Sequence, residues 1–484
     1  MLFNSYIFIL LFFPFALIGY YGLNRLKNPA YAKLFLIALS VLFCAYHHPF
    51  FALVLIGSVV INYILAGCMI KGGKPSKAFL AAGIIFNLAL LFVFKYLGFA
   101  FETINGITGS SLTAPSILMP LGISYYTFSQ ISYLADLYKG DIKKDTLTGH
   151  LLFVAFFPKL AAGPIVRHSD LSFQFEDAER RKPDQDYIAK GIFRFSTGLA
   201  KKVLLADTIS AAVDYGYSNI GALSSAECVI VAVLYSLQLY FDFSGYCDMA
   251  IGIANCLHID LPENFDVPYF ASSITEFWKK WHITLTGFLT RYIYIPLGGN
   301  RKGKSRTLIN ILIVYLISGF WHGADWSFVI WGMMHGIACC LYRVSGSLWD
   351  RLPKCIKIPC TFVYVTIAWI FFRAESTADA FEFIRRMFTA GGSASGSELI
   401  HKFDVLELAY IEDHVGVLKN LCMSFPYLNM IVILLVCVLV LVIEKIFAGR
   451  KRTFSAASAI ICSVLLIWSI ISLSGVSVFL YFNF

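Results

Sequence analysis

Charge is what this sequence has least of: 14% of its 484 residues are Asp, Glu, Lys or Arg, where a soluble globular chain carries roughly 25%. Too few charges remain to clothe a surface in water. Also missing are a C-x-x-C pair among the twelve cysteines, a low-complexity tract and a repeat of solenoid type. These absences exclude a disordered chain, a collagen, a disulfide scaffold and a zinc site built on paired cysteines. No G-x-S-x-G elbow, H-E-x-x-H helix or dinucleotide fingerprint occurs either, so the common soluble hydrolase, metalloprotease and Rossmann chemistries have no foothold.

What is present is apolar. The hydrophobic fraction is 58% and mean hydropathy +0.71, with apolar runs recurring along most of the chain. The reading is an all-α polytopic membrane protein, because only helices or closed barrels satisfy their backbone in lipid. The net charge of +9 would suggest nucleic acid in a soluble protein. Here Lys and Arg fall in short loops between apolar runs, which is the signature of positive-inside topology, so no nucleic-acid partner is expected. Cysteines such as Cys44, Cys68, Cys437 and Cys462 lie in apolar stretches and read as small packing residues.

The opening MLFNSYIFILLFFPF has no basic region and no small-residue cleavage site, and reads as a first crossing from about Tyr6 to Gly22. Arg25, Lys27 and Lys33 put the following loop in the cytoplasm and the N-terminus outside. Lys71, Lys74 and Lys77 mark a second cytoplasmic loop. A fourth segment from about Ala78 to Phe99 leads to ETINGITGSSLTAPS, which has no Lys or Arg and is external. Lys139, Lys143 and Lys144 are inside, YSNIGALSSAE outside, and RKGKSR from Arg301 to Arg306 inside. Later segments, from about Ile309, Ser327, Pro359, Met430 and Ala457, bring the total to about twelve crossings with both termini outside. The GRKR cluster from Gly449 is assigned to the cytoplasm.

Two stretches fit no simple crossing. LLFVAFFPKLAAGPIV from Leu151 is broken by Pro158, Gly163 and Pro164, and EFWKKWHITLTGFLTRYIYIPLGG from Glu276 mixes charge with aromatics. Irregular or charged backbone at membrane depth needs protein or a water-filled cavity around it, so both are expected to be re-entrant elements around a central channel. The two do not resemble each other, which argues against a transporter of inverted repeats. The chain reads as a single membrane domain, 1–484, with one hydrophilic insertion at 374–426 expected to form amphipathic helices on the external face.

Polar residues within the membrane are expensive, and they concentrate between Tyr240 and His335: Asp242, Asp248, Asn255, Asn264, His282, His322, Asp325 and His335. In LISGFWHGADW, His322 is flanked by glycines and by Trp321 and Trp326. Such a histidine serves as a general base held neutral by burial, or stands incidentally in an interfacial aromatic belt. His282 in FWKKWHITL adjoins Lys279 and Lys280, which meet either donor phosphates or lipid headgroups. GGNRKGKS from Gly298 satisfies the P-loop pattern, after a strand-like RYIYIPL, but no soluble stretch supplies the parallel sheet such a loop requires. It reads as a basic turn.

EFWKKWHITL, YIPLGGNRKG, GFWHGADWSFVIWG, LYFDFSGYCDMAIGIA, LMPLGISYYTFSQISYLADLY and FFPKLAAGPIVR, with the YFNF ending, together resemble the membrane-bound O-acyltransferase (MBOAT) family, and within it the branch of bacterial alginate O-acetyltransferase membrane subunits. The resemblance implies a bacterial cytoplasmic-membrane enzyme in which His322 is catalytic and His282 is the second functional histidine. It implies substrate-binding surroundings at Asp242, Tyr246, Asn264, Trp278, Lys279, Lys280, Trp281, Trp321 and Asp325, and no metal or bound cofactor. The implied reaction moves an acetyl group from a cytoplasmic thioester, acetyl-CoA or a carrier protein, toward an extracytoplasmic polysaccharide through a partner transferase. D-alanyl transfer to teichoic acid and transport without chemistry are the competing readings. Two departures stand out: Cys247 where the family usually has Ser, and Thr290–Arg291 where it has an Arg–Asp pair.

Overall fold

The computed structural model describes residues 1–391, 398–449, 455–473 and 479–480. Most of the GRKR cluster, most of the GGSASGS turn, the YFNF ending and Phe484 lie outside the described residues. Among the described residues every regular element is helical. Six helices among the described residues have the length and hydropathy to cross a membrane: Pro49–Ile70, Lys77–Thr108, Ser225–Cys256, Trp326–Asp350, Lys354–Arg373 and Leu428–Phe447. Three shorter apolar helices, Phe8–Asn24, Ala30–Ala45 and Ala456–Ile471, accompany them. Their outer faces carry Leu, Ile, Val and Phe in the open, for example Ile18, Leu53, Ile85 and Leu435, which only lipid tolerates. The chain is a multi-pass membrane protein.

Ser225–Cys256 is the central post. Its 32 residues are mostly enclosed by protein, so it carries little lipid-facing surface and reads in sequence as an apolar run dotted with polar residues. Its closest neighbour is Gln185–Ala200, and glycines seven residues apart on each helix explain how close. A Cβ on Gly191 would stand 2.6 Å from the Gly252 carbonyl oxygen, and one on Gly198 2.6 Å from that of Gly245. From the other side, Gly245 and Gly252 meet the Gly198 and Gly191 oxygens at 2.7 Å. Only backbone against backbone fits, the usual device for joining helices where lipid removes the hydrophobic drive.

Immediately after this pair the chain supplies Lys201 and Lys202, and they answer the acids that the sequence places in the apolar run. Lys202 pairs with Asp242 at 2.7 Å and with Asp207 at 2.7 Å. Lys201 pairs with Asp248 at 2.6 Å and with Glu444, and Arg194 joins Asp248 at 2.9 Å. Seven charged side chains thereby bind three helices together. Breaking such a buried pair on one side costs about 3–5 kcal/mol.

Two expectations are corrected, and the departure at Arg291 is accounted for. The fourth segment does not end at Phe99: the helix continues to Thr108, so the stretch expected as an external loop starts helical and leaves that state only at Gly109, in the left-handed region at φ 68°. The strand-like RYIYIPL is a wide helical turn, Thr290–Tyr294, followed by loop. Arg291 is not left without an acid: Asp136 lies 3.4 Å and Asp141 2.7 Å away. The 374–426 region does hold short helices, Thr377–Thr389, Glu398–His401, Leu406–His414 and Gly416–Ser424. The first of these buries Ala380 and Phe383 while exposing Phe381 and Phe388.

Candidate functional site

Both stretches that fit no simple crossing are broken helices, the first wrapped in protein and the second partly exposed, at Lys279, Gly287 and Ile295 among others. Leu147–Ala155 stops at Phe156, Phe157–Leu160 follows, and nearly every side chain from Leu152 to Ala162 is buried. The second break falls between Ile274–Lys280 and Ile283–Leu289, at His282 itself, whose φ of 47° and ψ of 52° are left-handed. Histidine tolerates this region better than bulky residues do, yet it persists only where the surroundings enforce it. Here they do. The Ile283 amide donates to the Asn264 carbonyl at 3.0 Å, and the Thr286 amide to that of His282 at 3.0 Å.

Asn264 also fixes the imidazole. Its Oδ1 accepts from the Thr284 amide at 3.2 Å and the Thr284 hydroxyl at 2.9 Å. An oxygen that receives a backbone N–H is unambiguously the acceptor end of the amide, so His282 Nδ1, 3.2 Å away, must be the donor. The neutral ring then carries its proton at Nδ1 and a lone pair at Nε2. Asn264 is held in turn by donating from Nδ2 to Cys247 Sγ at 3.2 Å, so the departure at Cys247 keeps an acceptor where the family has a hydroxyl.

His322 closes the helix Lys304–His322, and Gly323 to Asp325 turn the chain into Trp326–Asp350. The two helices touch through Gly319 and Gly332: a Cβ on Gly319 would stand 2.3 Å from the Phe328 carbonyl oxygen, and one on Gly332 2.4 Å from that of Tyr315. This approach sets the depth at which His322 sits. Its ring is buried, 6.3 Å from that of His282 between centroids. Trp321, Trp331 and Phe372 surround it edge-on at 4.9, 5.0 and 5.3 Å, an enclosure that excludes lipid and most water. A cavity of about 110 Å³ is lined by His322, Trp321, Lys95, Phe51, Ala161 and the segment from Met119 to Tyr125.

The remaining predicted residues divide into two groups. Trp278, Trp281 and Trp321 belong to the aromatic wall: the Trp278 indole donates to His335 Nδ1 at 3.2 Å, Trp281 packs on Trp369 at 5.0 Å, and Trp321 stacks on Phe128 at 5.0 Å. Asn264 supports His282 as described. By contrast Asp242 pairs with Lys202 and accepts from the Leu480 amide at 3.0 Å, and Tyr246 packs between Phe3 and Phe479 at 5.0 and 4.7 Å. Asp325 caps the helix that starts at Trp326, accepting from the Ser327 amide at 2.7 Å, which is what an aspartate before a helix ordinarily does. Lys279 is exposed, while Lys280 is paired with Glu276 at 3.0 Å. Among the described residues no group of three His, Cys, Asp or Glu is placed to hold a metal ion.

Sequence reasoning passed over Lys95. Its ammonium donates to the carbonyls of Trp321 at 2.7 Å and His322 at 2.8 Å, and the neighbouring Tyr96 hydroxyl donates to that of Phe320 at 2.8 Å. The signal was available, since Lys95 is the one charge between Lys77 and Glu102.

Comparison with known proteins places the chain in a family. The profile of the membrane-bound O-acyltransferase family matches residues 147–377, which include both histidines. A protein of Helicobacter pylori named "Peptidoglycan O-acetyltransferase" is 36% identical over all of this chain and 98% of its own length. The Pseudomonas aeruginosa protein named "Probable alginate O-acetylase AlgI" is 38% identical over 81% of this chain and 75% of its own. A Streptococcus thermophilus protein named "Teichoic acid D-alanyltransferase" is more distant, 29% identical over 53% of this chain.

Proposed function

Because the chain belongs to the membrane-bound O-acyltransferase family and is an O-acyltransferase, we propose that it moves an acetyl group from a cytoplasmic thioester, acetyl-CoA, across the membrane for O-acetylation of an extracytoplasmic polysaccharide. The observation that carries this is the buried His282–His322 pair beside a cavity, in a chain similar from end to end to a protein named for O-acetyl transfer to a glycan. Family membership sets aside transport without chemistry. Identity favours acetyl over D-alanyl, the D-alanyl relatives matching only about half of the chain.

A thioester is already activated, so the site must supply a base for the incoming hydroxyl and donors for the developing oxyanion. His322 is that base. The hydroxyl oxygen bonds to the acyl carbon as its proton passes to the imidazole. The C–S bond then breaks, and the thiolate leaves with that proton. His282, held in one tautomer by Asn264, is the second functional histidine, on the donor's side. The exposed Lys279, Arg301, Lys302 and Lys304 draw the polyanionic donor to the cytoplasmic mouth. In this reading about twelve crossings leave both termini and the 374–426 insertion outside, where a partner transferase takes over the acetyl group.

The test uses purified protein in nanodiscs with radiolabelled acetyl-CoA, following free thiol and acetyl transfer. His322→Gln is expected to keep donor affinity and melting temperature yet lose about 10²- to 10⁴-fold in transfer. Wild-type protein that releases no thiol from acetyl-CoA but accepts a D-alanyl carrier would overturn the acetyl reading. Near-normal transfer by His322→Gln would remove His322 from the reaction.

A further inference from the structure

Lys95 belongs to a helix of membrane-spanning length, yet among the described residues no carboxylate lies within ion-pair distance of it. Lys95 is half-buried, and taking an ammonium even partly out of water without a counter-ion costs more than the partial negative charge at a helix C-terminus returns. If capping Lys304–His322 were the whole task, a neutral donor would do it, as the Tyr96 hydroxyl already does one carbonyl earlier. A charge retained at that expense is a functional signal. The backbone adds a second one. The helix widens to a five-residue turn at Phe92–Tyr96, and this bulge brings the consecutive residues Lys95 and Tyr96 to the same helix end. Wide turns of this kind recur at functional sites.

An ammonium has three N–H donors. Two go to the Trp321 and His322 carbonyls, and Lys95 lines the same cavity as His322. We propose that Lys95 is a catalytic residue of the acyl transfer: it fixes the end of the helix that carries His322 and gives its remaining N–H to the acyl carbonyl oxygen. This deepens the acetyl-transfer reading and rests on it. As the acceptor oxygen bonds to the acyl carbon and its proton passes to His322, the carbonyl electron pair moves onto oxygen, where the fixed ammonium holds it without giving up a proton. Re-formation of the carbonyl then expels the thiolate, which takes the proton from His322. A preorganised cation fixed by two carbonyls is worth more to that oxyanion than the same charge free in water.

The experiment compares Lys95→Met, Lys95→Gln and Lys95→Arg with wild type in nanodiscs, measuring kcat for acetyl transfer, affinity for acetyl-CoA and melting temperature. The expected result for Lys95→Met is a loss on the order of 10²- to 10³-fold in kcat with donor affinity within a few-fold. Lys95→Arg keeps a cation and restores most of the rate. Lys95→Gln keeps a neutral cap but not the charge, so it stays slow even where its melting temperature equals wild type. Wild-type kcat in Lys95→Gln or in folded Lys95→Met overturns the proposal, leaving Lys95 a helix cap. Should Lys95→Met fail to fold, the Gln and Arg pair decides. Wild type inactive toward acetyl-CoA sinks the parent reading instead, a result visible before any variant is compared.

Discussion

Truncating Asn264 to Ala separates catalysis from stability at this site. Three donors converge on its Oδ1, from His282 Nδ1 at 3.2 Å, the Thr284 amide at 3.2 Å and the Thr284 hydroxyl at 2.9 Å, while Nδ2 holds Cys247 Sγ. A net 0.5–1.5 kcal/mol per bond, or about 1–3 kcal/mol for each buried donor left unpaired, would overstate the loss if simply added. The Thr284 hydroxyl can rotate, and its residue is only half-buried. His282 is fully buried, but it can escape the penalty by moving its proton from Nδ1 to Nε2. We therefore expect a modest destabilisation of about 2–3 kcal/mol. The proposed role of His282 on the donor's side uses its Nε2 lone pair, so the catalytic cost is larger: in Asn264→Ala that nitrogen carries the proton instead. The wrong tautomer in a Ser-His-Asp triad costs about 10⁴-fold. Taking that as the ceiling, kcat for acetyl transfer by Asn264→Ala should fall on the order of 10²- to 10⁴-fold. Asn264→Asp, which presents an acceptor oxygen at the same place, should recover most of the rate. Kinetics and melting temperature read on the same nanodisc preparations decide the matter. If Asn264→Ala melts lower but turns over like wild type, the tautomer argument is wrong.

Gly319→Ala places a Cβ 2.3 Å from the Phe328 carbonyl oxygen, and because backbone cannot swing aside, the hairpin bearing His322 must open, at about 1–3 kcal/mol. Acetyl transfer should drop at least about tenfold, whereas Gly22→Ala, with nothing within 4 Å of the added atom, serves as the silent control. For topology, a cysteine at the exposed Ser110, in a background with Cys355 and Cys360 changed to Ser, should react with an impermeant maleimide in intact cells. Labelling only after lysis would reverse the orientation read from the Lys and Arg loops.

How far the sequence carries depends on whether the needed partner is near in the chain. The helical class, the two irregular stretches and the His282–His322 pair were legible, because hydropathy, Pro and Gly breaks and the FWKKWH and FWHG motifs are local patterns. The roles of Asp242, Asp248 and Arg291 were not. Each acid of the apolar run finds its base 40 to 54 residues earlier, in Lys202, Lys201 and Arg194, and Arg291 finds Asp136 and Asp141 about 150 residues away. A cluster of intramembrane acids therefore reads as a site in the sequence, while the fold shows the ion pairs by which it clamps helices together.

Lys95 shows the opposite error. It was passed over because it stood alone, while attention went to residues that stood together. Clustering in sequence says little about a membrane charge, since a helix displays its neighbours on different faces and distant helices supply the counter-ions. The informative test is whether each buried charge has an opposite charge once the fold is known. Asp242, Asp248, Lys201, Lys202 and Arg194 have theirs, which accounts for their presence without any reaction. Among the described residues Lys95 has none, and it lies against the helix end that carries His322, at the rim of the same cavity. Lys159 is buried and likewise without an ion pair among the described residues, its ammonium held by the Ser129 hydroxyl at 3.2 Å, so missing compensation marks two lysines, and of these Lys95 is the one that lines the cavity with His322, where a transient oxyanion can balance it.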